Sequence, residues 1–368
     1  VAEPAVGLAQ QQKLTGHEVT LAVEEGGNLE ERGRDAGLEV QTGLMSHHFN
    51  PITVLSQLRK FRQYIKNSRP DIVHTHLLHD HWVAALALRG LGGDRPKLVR
   101  TFHREEQPRS HPWTKWLARQ TDGMIAISSS LGEQLRRTYR RTDGNLTVIG
   151  GVVDTEQFHR DEEGGAALRR EWEIPEGAKV VGLLSRLREA RGIFWLLDAV
   201  EPLLERVPGA VVVYCGRGRH AKLLRERIAE HPRKDRVRYP GYMTADQLNA
   251  AYSAFDVHCL LGPGNDGTCR AALQSMSCEV PLVAVDQGAL HDMLQPQEGE
   301  ASDAEMGGRL AAKNDVATLV DVLAEILTDG TLRDQMGHVA RHRMETYFRP
   351  EQQAQAVLRW YNSLLEKR

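Results

Sequence analysis

"VVGLLSRLREARG", residues 180–192, runs from branched and aliphatic side chains into three arginines and a glycine. The apolar half reads as a strand, the basic half as the loop that leaves it. In open α/β sheets ligands bind just beyond the carboxyl ends of such strands. An anion is therefore the expected guest of this loop.

Strands of the same kind recur on both sides. Val211 to Cys215, Val237 to Tyr239, Val257 to Leu261 and Leu282 to Val285 follow it. Val19 to Val23, Ile72 to His74, Leu98 to Thr101, Met124 to Ile127 and Leu146 to Ile149 precede it. Between them lie stretches of helical period. Val54, Leu55, Leu58, Phe61 and Ile65 lead to Pro70, and Leu131 to Arg140 follows the cap "SSS" of Ser128 to Ser130. Such βα alternation predicts parallel sheets covered by helices. A polar segment from Arg160 to Gly165 interrupts the series, which places a boundary near Val152. From Asp315 onward the pattern is helical only, ending in the amphipathic "PEQQAQAVLRWYNSLLEK". The chain opens on a helical stretch (Ala5, Leu8, Ala9, Leu14) with no strand before it, so a first strand and its turn are expected to be missing from this sequence.

A chain of 368 residues, 41% hydrophobic and 26% charged, suits two globular domains. With 47 basic against 49 acidic residues it lacks the charge that would hold nucleic acid or an anionic membrane by bulk attraction. Cys215, Cys259, Cys269 and Cys278 show no CxxC spacing and read as reduced thiols of a cytoplasmic protein. No apolar run is long enough to span a bilayer, while peripheral membrane contact is left open.

The tract "HTHLLHDH", His74 to His81, gathers four histidines and an aspartate, with His47 and His48 as further partners. Nothing in its spacing fixes a four-ligand geometry, so no metal is expected. His74 and His76 alternate on one side of a strand end. His79 and Asp80 fall in the next turn, and His81 begins a helix.

"TGHEVTLAV", "PDIVHTH", "TFH", "AISSSL", "VIGGVVDTEQF", "LLSRLREARG", "YPGYMTADQLNAAYSAFDV" and "DGTCRAALQSMSCEVPLVA" occur in the order and spacing of the GT-B glycosyltransferases. The chain resembles in particular their large retaining group, family 4. That resemblance implies two Rossmann-like domains facing a cleft, residues 1–152 completed by 351–368 and residues 153–350. The last helix would cross back to the first domain. The second domain would bind a nucleotide sugar as co-substrate, and the first a saccharide or lipid-linked acceptor, as in envelope polysaccharide or lipopolysaccharide assembly.

Arg186 and Arg191 stand where the family has its phosphate-binding arginine and lysine, positioned for charge that grows on the leaving diphosphate. Arg188 reads as a solvated neighbour. Thr268 is expected to open a helix whose amides at Gly267, Thr268 and Cys269 suit a phosphate. The family's Glu, seven residues and second Glu become Asp266 and Gln274. Asp266 would lie by the donor sugar, and Gln274, by the ribose, has a single acceptor oxygen where a carboxylate has two. Arg270, four residues before Gln274, shares its helix face. Gly241, Tyr242 and Met243 would surround the base, and "GRGR", Gly216 to Arg219, replaces an acidic turn of the family without an evident reason. His103 stands where the family has a histidine at the reaction centre, and His76 and His79 are the expected acceptor contacts. No D-x-D is present, so transfer with retention and without metal is the expectation. Two alternatives stay open: a UDP-sugar epimerase, for which the sequence shows no acidic cluster, and a catalytically impaired relative that binds nucleotide or protein.

Overall fold

A computed structural model describes residues 2–44, 51–93, 95–103, 108–264, 266–297 and 305–367. The chain forms two compact units, residues 1–150 with 350–368 and residues 151–349.

Unit 1 runs α1 (Ala2–Leu14), β1 (Thr20–Ala22), α2 (Asn28–Asp35), β2 (Glu39–Gln41), α3 (Pro51–Ser68), β3 (Ile72–Thr75), α4 (Leu78–Leu88), β4 (Lys97–Phe102), α5 (Pro112–Gln120), β5 (Gly123–Ala126), α6 (Ser129–Tyr139) and β6 (Leu146–Val148). Unit 2 runs α7 (Glu162–Glu171), β7 (Lys179–Leu184), α8 (Ile193–Asp198), α9 (Val200–Arg206), β8 (Ala210–Cys215), α10 (Ala221–Glu230), β9 (Val237–Gly241), α11 (Leu248–Ser253), β10 (Val257–Leu260), α12 (Asp266–Ser277), β11 (Leu282–Val285), α13 (Ala289–Met293), β12 (Gly308–Ala311), α14 (Val316–Thr328) and α15 (Gly330–Tyr347). The last helix, α16 (Pro350–Leu365), returns to unit 1.

In unit 1 four parallel strands stand in the order β3-β4-β5-β6, and β1 and β2 form a separate parallel pair. Val357, Trp360, Tyr361 and Leu364 of α16 recur at i, i+3, i+4 and i+7 and bury against Val99 and Ile125. Each such side chain contributes roughly 1.5–3 kcal/mol of burial. The other sheet face is covered through Phe61, Ile65, Val83, Leu88 and Leu117, which meet Leu98. Ser128 caps α6 as its sequence suggests, its hydroxyl accepting from the Leu131 amide.

Unit 2 holds six parallel strands in the order β12-β11-β10-β7-β8-β9. The chain leaves β7 toward β8 on one side and later returns to β10 on the other, so the order reverses between β7 and β10. Both expected Rossmann-like domains are therefore present as α/β layers. The short strands β2 and β12 escape the reading of the sequence because one is three residues long with a charged end and the other contains an arginine. Both sit at sheet edges, where side chains face solvent and alternation fades.

Candidate active site

The reversal between β7 and β10 is where a doubly wound sheet leaves a crevice beyond its strands. Two loops line it, residues 185–192 after β7 and 261–264 after β10. They approach by main-chain contact. A Cβ on Gly192, whose φ is +71°, would lie 2.4 Å from Leu261 Cβ, and one on Gly262 would lie 2.5 Å from the Ala190 carbonyl oxygen. The glycine that ends "SRLREARG" is thus demanded by both backbone angle and crowding.

The same loop is braced from β8. The amides of Ser185 and Leu187 donate to the carbonyls of Cys215 and Arg217. A Cβ on Gly216 or Gly218 would strike the carbonyl oxygens of Ser185 or Leu187. This accounts for the glycines of "GRGR". Its Arg217 lies over the Tyr242 ring, 4.2 Å from the centroid, a cation–π contact.

Leu187 is buried while Arg186 and Arg188 are exposed, so the loop anchors itself by its leucine and projects its charges. Arg191 donates to the Pro263 carbonyl at 3.3 Å. Burial lowers its pKa first, and the neighbouring Arg188 and Arg186 lower it further, against the Cys269 thiol. The three arginines share one field, which an anion would relieve. Arg188, read from sequence as a bystander, belongs to it.

Helix α12 starts at Asp266 rather than Thr268, because the residues before Thr268 already turn. Asp266, Gly267 and Thr268 therefore form its first turn, where backbone amides lack intrahelical partners. Their side chains, like Asn265, lie outside the described residues. Cys269 is buried, and Arg270 is partly buried with its pKa lowered by that burial. Gln274 is partly buried, and its Oε1 accepts from the hydroxyl of fully buried Tyr252 at 3.1 Å. Beside it His258, absent from the sequence reading, accepts from the Leu184 amide at 3.3 Å through Nε2 and bonds Ser275 Oγ at 2.8 Å through Nδ1. Burial pushes its pKa down to about 3, so the neutral ring ties the end of β7 to α12. Gly241 has φ +108°, Tyr242 is 52% exposed and Met243 is buried.

In unit 1 the histidine tract divides by what each ring touches. His76 Nδ1 lies 3.0 Å from His103 Nε2, with the rings stacked. His74 is held between Tyr361 of α16 at 2.6 Å and Thr101 at 2.7 Å. Thr121 gives its proton to the Leu117 carbonyl, so His81 Nε2 donates to Thr121 Oγ1. Burial and nearby positive groups hold His74 and His103 near pKa 3 and His76 and His81 well below their usual range. All four are neutral at physiological pH.

Two placements differ from the sequence reading. Helix α4 starts at Leu78, so His79 and Asp80 lie in its first turn rather than in a preceding turn, and His81 is within the helix three residues after its start. His74 and His81 are absorbed into packing contacts, leaving His76 and His103 as the adjacent pair. His47 and His48 lie outside the described residues. Among the described residues no three of His, Cys, Asp or Glu are arranged to hold a metal ion.

Residues 5–157 match Glycosyltransferase Family 4, and residues 166–343 match Glycosyl transferases group 1. The chain belongs to the GT-B glycosyltransferases of this type. It is an enzyme of sugar transfer. The lipopolysaccharide core biosynthesis mannosyltransferase LpsB of Rhizobium meliloti is 28% identical over 74% of each chain. The N-acetyl-alpha-D-glucosaminyl L-malate synthase of Bacillus anthracis is 22% identical over 81% of this chain and 76% of its own. Among solved structures, a glycosyltransferase from Rickettsia africae superposes with TM-score 0.83 at 17% identity, over 100% of this chain and 96% of its own. HepE of Anabaena, solved with UDP and glucose, gives 0.77 at 17% identity over 98% and 95%. As a GT-B chain, this one carries its braced arginine loop in the unit that matches group 1.

Proposed function

We propose that this glycosyltransferase moves a sugar from a nucleotide-diphosphate sugar, bound by unit 2, to a saccharide or lipid-linked acceptor bound by unit 1. The reading rests on one observation above others. The arginine loop 185–191 is braced by two glycine crossings at the strand-order reversal, beside the first turn of α12.

In this reading Arg186 and Arg191 neutralise the leaving diphosphate, with Arg188 adding to their field and Arg270 approaching from α12. The amides of Gly267, Thr268 and Cys269 face the same charge. Gln274 meets the ribose, Gly241, Tyr242 and Met243 the base, and Asp266 the donor sugar. His103, positioned by His76, orients a sugar hydroxyl at the reaction centre, and His79 contacts the acceptor. Transfer proceeds with retention and without metal or other cofactor, at the cytoplasmic side of the membrane. The envelope setting follows the names of relatives such as the mannosyltransferases of lipopolysaccharide core biosynthesis.

Incubation with UDP-, GDP-, ADP- and TDP-sugars, with and without lipid-linked or saccharide acceptors, tests this through acceptor-dependent nucleotide release. Product anomers read by NMR decide retention, and assays with a chelator decide the metal. The engagement of Gln274 by Tyr252 favours a second reading, a catalytically impaired nucleotide binder. Tight nucleotide binding with no turnover on any acceptor would establish that one instead.

A further inference from the structure

The loops after β8 and β9 hold an arginine that the proposed reaction does not use. Strand order sets them beside the arginine loop, since β8 is next to β7 and β9 is the edge strand beyond it. The Leu187 amide donates to the Arg217 carbonyl, and the Gly216 amide to the Gly241 carbonyl at 2.6 Å. The Tyr239 hydroxyl donates to the Gly216 carbonyl at 3.0 Å. Residues 185–191, 216–219 and 241–243 therefore form one hydrogen-bonded rim along the carboxyl edge of the sheet. Neighbouring strands are about 4.8 Å apart, so β9 lies roughly 10 Å from β7. That is the reach of a ribose between a diphosphate and its base.

Arg217 and Tyr242 are both exposed at the β9 end of this rim. The guanidinium lies over the Tyr242 ring, 4.2 Å from its centroid, which confines the plane of its fork. Among the described residues none accepts a hydrogen bond from its side chain or pairs with its charge. Beside the stack Gly241 has φ +108°, and a Cβ there would meet no atom within 4 Å. The pair thus borders open space, while buried Met243 anchors the loop beneath it. A planar guest entering that space meets two parallel N–H donors held in one orientation. Guanine presents two adjacent acceptors, O6 and N7, and takes both. Adenine sets an amino donor beside its N7, so one N–H of the fork would face another donor, and the oxo pyrimidines offer O4 alone on the matching edge.

We propose that Arg217, held by Tyr242, reads the base of the donor nucleotide and selects guanine, so that the co-substrate is a GDP-sugar. The proposal rests on unit 2 being the donor side. Calorimetry on the full chain with GDP, UDP, ADP and TDP tests it without turnover. GDP should bind at least tenfold tighter than ADP, the discrimination expected of a bidentate arginine contact. Arg217→Ala should bring that ratio close to one. 7-Deaza-GDP, with a carbon in place of N7, should bind the wild type several-fold more weakly than GDP and bind Arg217→Ala as GDP does. Tyr242→Phe, which keeps the ring face, should preserve the ratio, and Tyr242→Ala should lower it.

Because Arg217 is exposed, Arg217→Ala should melt at the temperature of the wild type, which separates lost selectivity from lost fold. A wild type that binds GDP and ADP alike, or prefers UDP, overturns the proposal. If Arg186→Ala still weakens every nucleotide in that case, the donor site itself stands. A guanine preference untouched by Arg217→Ala also overturns it, since backbone or apolar contacts would then read the base. Failure of all four nucleotides to bind sinks the proposal and the functional reading together. Guanine-selective binding that depends on Arg217, with no transfer to any acceptor, sinks the reading of sugar transfer and leaves Arg217 as the reader of the base.

Discussion

Units 1 and 2 both present the carboxyl edge of a parallel sheet, yet they hold it by different means. In unit 2 the loops are joined backbone to backbone, through glycines that leave no room for a Cβ. In unit 1 the edge is a lattice of side chains, His74 with Tyr361 and Thr101 and His76 with His103. Main-chain contacts do not titrate, whereas imidazoles do. The two units should therefore respond differently to pH and to substitution.

Acid is the strongest way to separate them. His74 and His103 fall from 6.5 to about 3 on folding, and His76 and His81 fall in the same direction. Below about pH 6.5 the unfolded chain takes up protons that the folded chain refuses until near 3. Their stability contribution is thus complete above 6.5 and lost as pH falls toward 3, by about 1.4 kcal/mol per pH unit and group. Unit 2 has only His258 of this kind among the described residues with such shifts. Hydrogen exchange at pH 5 should find β3, β4 and α16 opening well before β7 and β10. Equal protection in both units would break the contrast.

Next comes the glycine crossing. Gly192→Ala combines a left-handed backbone, costing roughly 1–2 kcal/mol, with a clash against Leu261 worth about 1–3 kcal/mol. A loss near 3 kcal/mol in urea unfolding of unit 2 is expected, together with loss of nucleotide binding. Arg186→Ala, which leaves the brace untouched, should spare stability. It should weaken nucleoside diphosphate binding tenfold to a hundredfold in calorimetry, about 1.5–3 kcal/mol for a hydrogen bond to a charged group. Unchanged binding would remove the arginine loop from the site.

This contrast also explains what the sequence disclosed. Strands such as Val211 to Cys215 are buried on both faces and announce themselves by composition, as do capped helices such as α6. The arginine loop is legible because its charges follow a strand directly. The brace from "GRGR" is not, since which carbonyl a glycine must admit depends on residues 31 positions away, Ser185 for Gly216 and Leu187 for Gly218. His258 is hidden for a similar reason. A histidine in an apolar run looks like a strand residue until Leu184 and Ser275, far apart in the chain, converge on its two nitrogens.

The smallest effect bears on the family departure at Gln274. Its Oε1 already accepts from Tyr252, so toward a ribose the amide has chiefly N–H to give. A carboxylate there would keep one oxygen for Tyr252 and offer the other to a hydroxyl, with charge assistance. Gln274→Glu should therefore tighten nucleoside diphosphate binding about tenfold, from roughly 1–2 kcal/mol. Tyr252→Phe should cost about 1 kcal/mol of stability in unit 2 by removing that bond. It should also free the amide oxygen and move nucleotide affinity in the same direction as Gln274→Glu, only less. If Gln274→Glu leaves affinity unchanged while Tyr252→Phe still lowers stability, the pair belongs to the packing of α11 on α12, and the nucleotide relies on the arginine loop and helix amides alone.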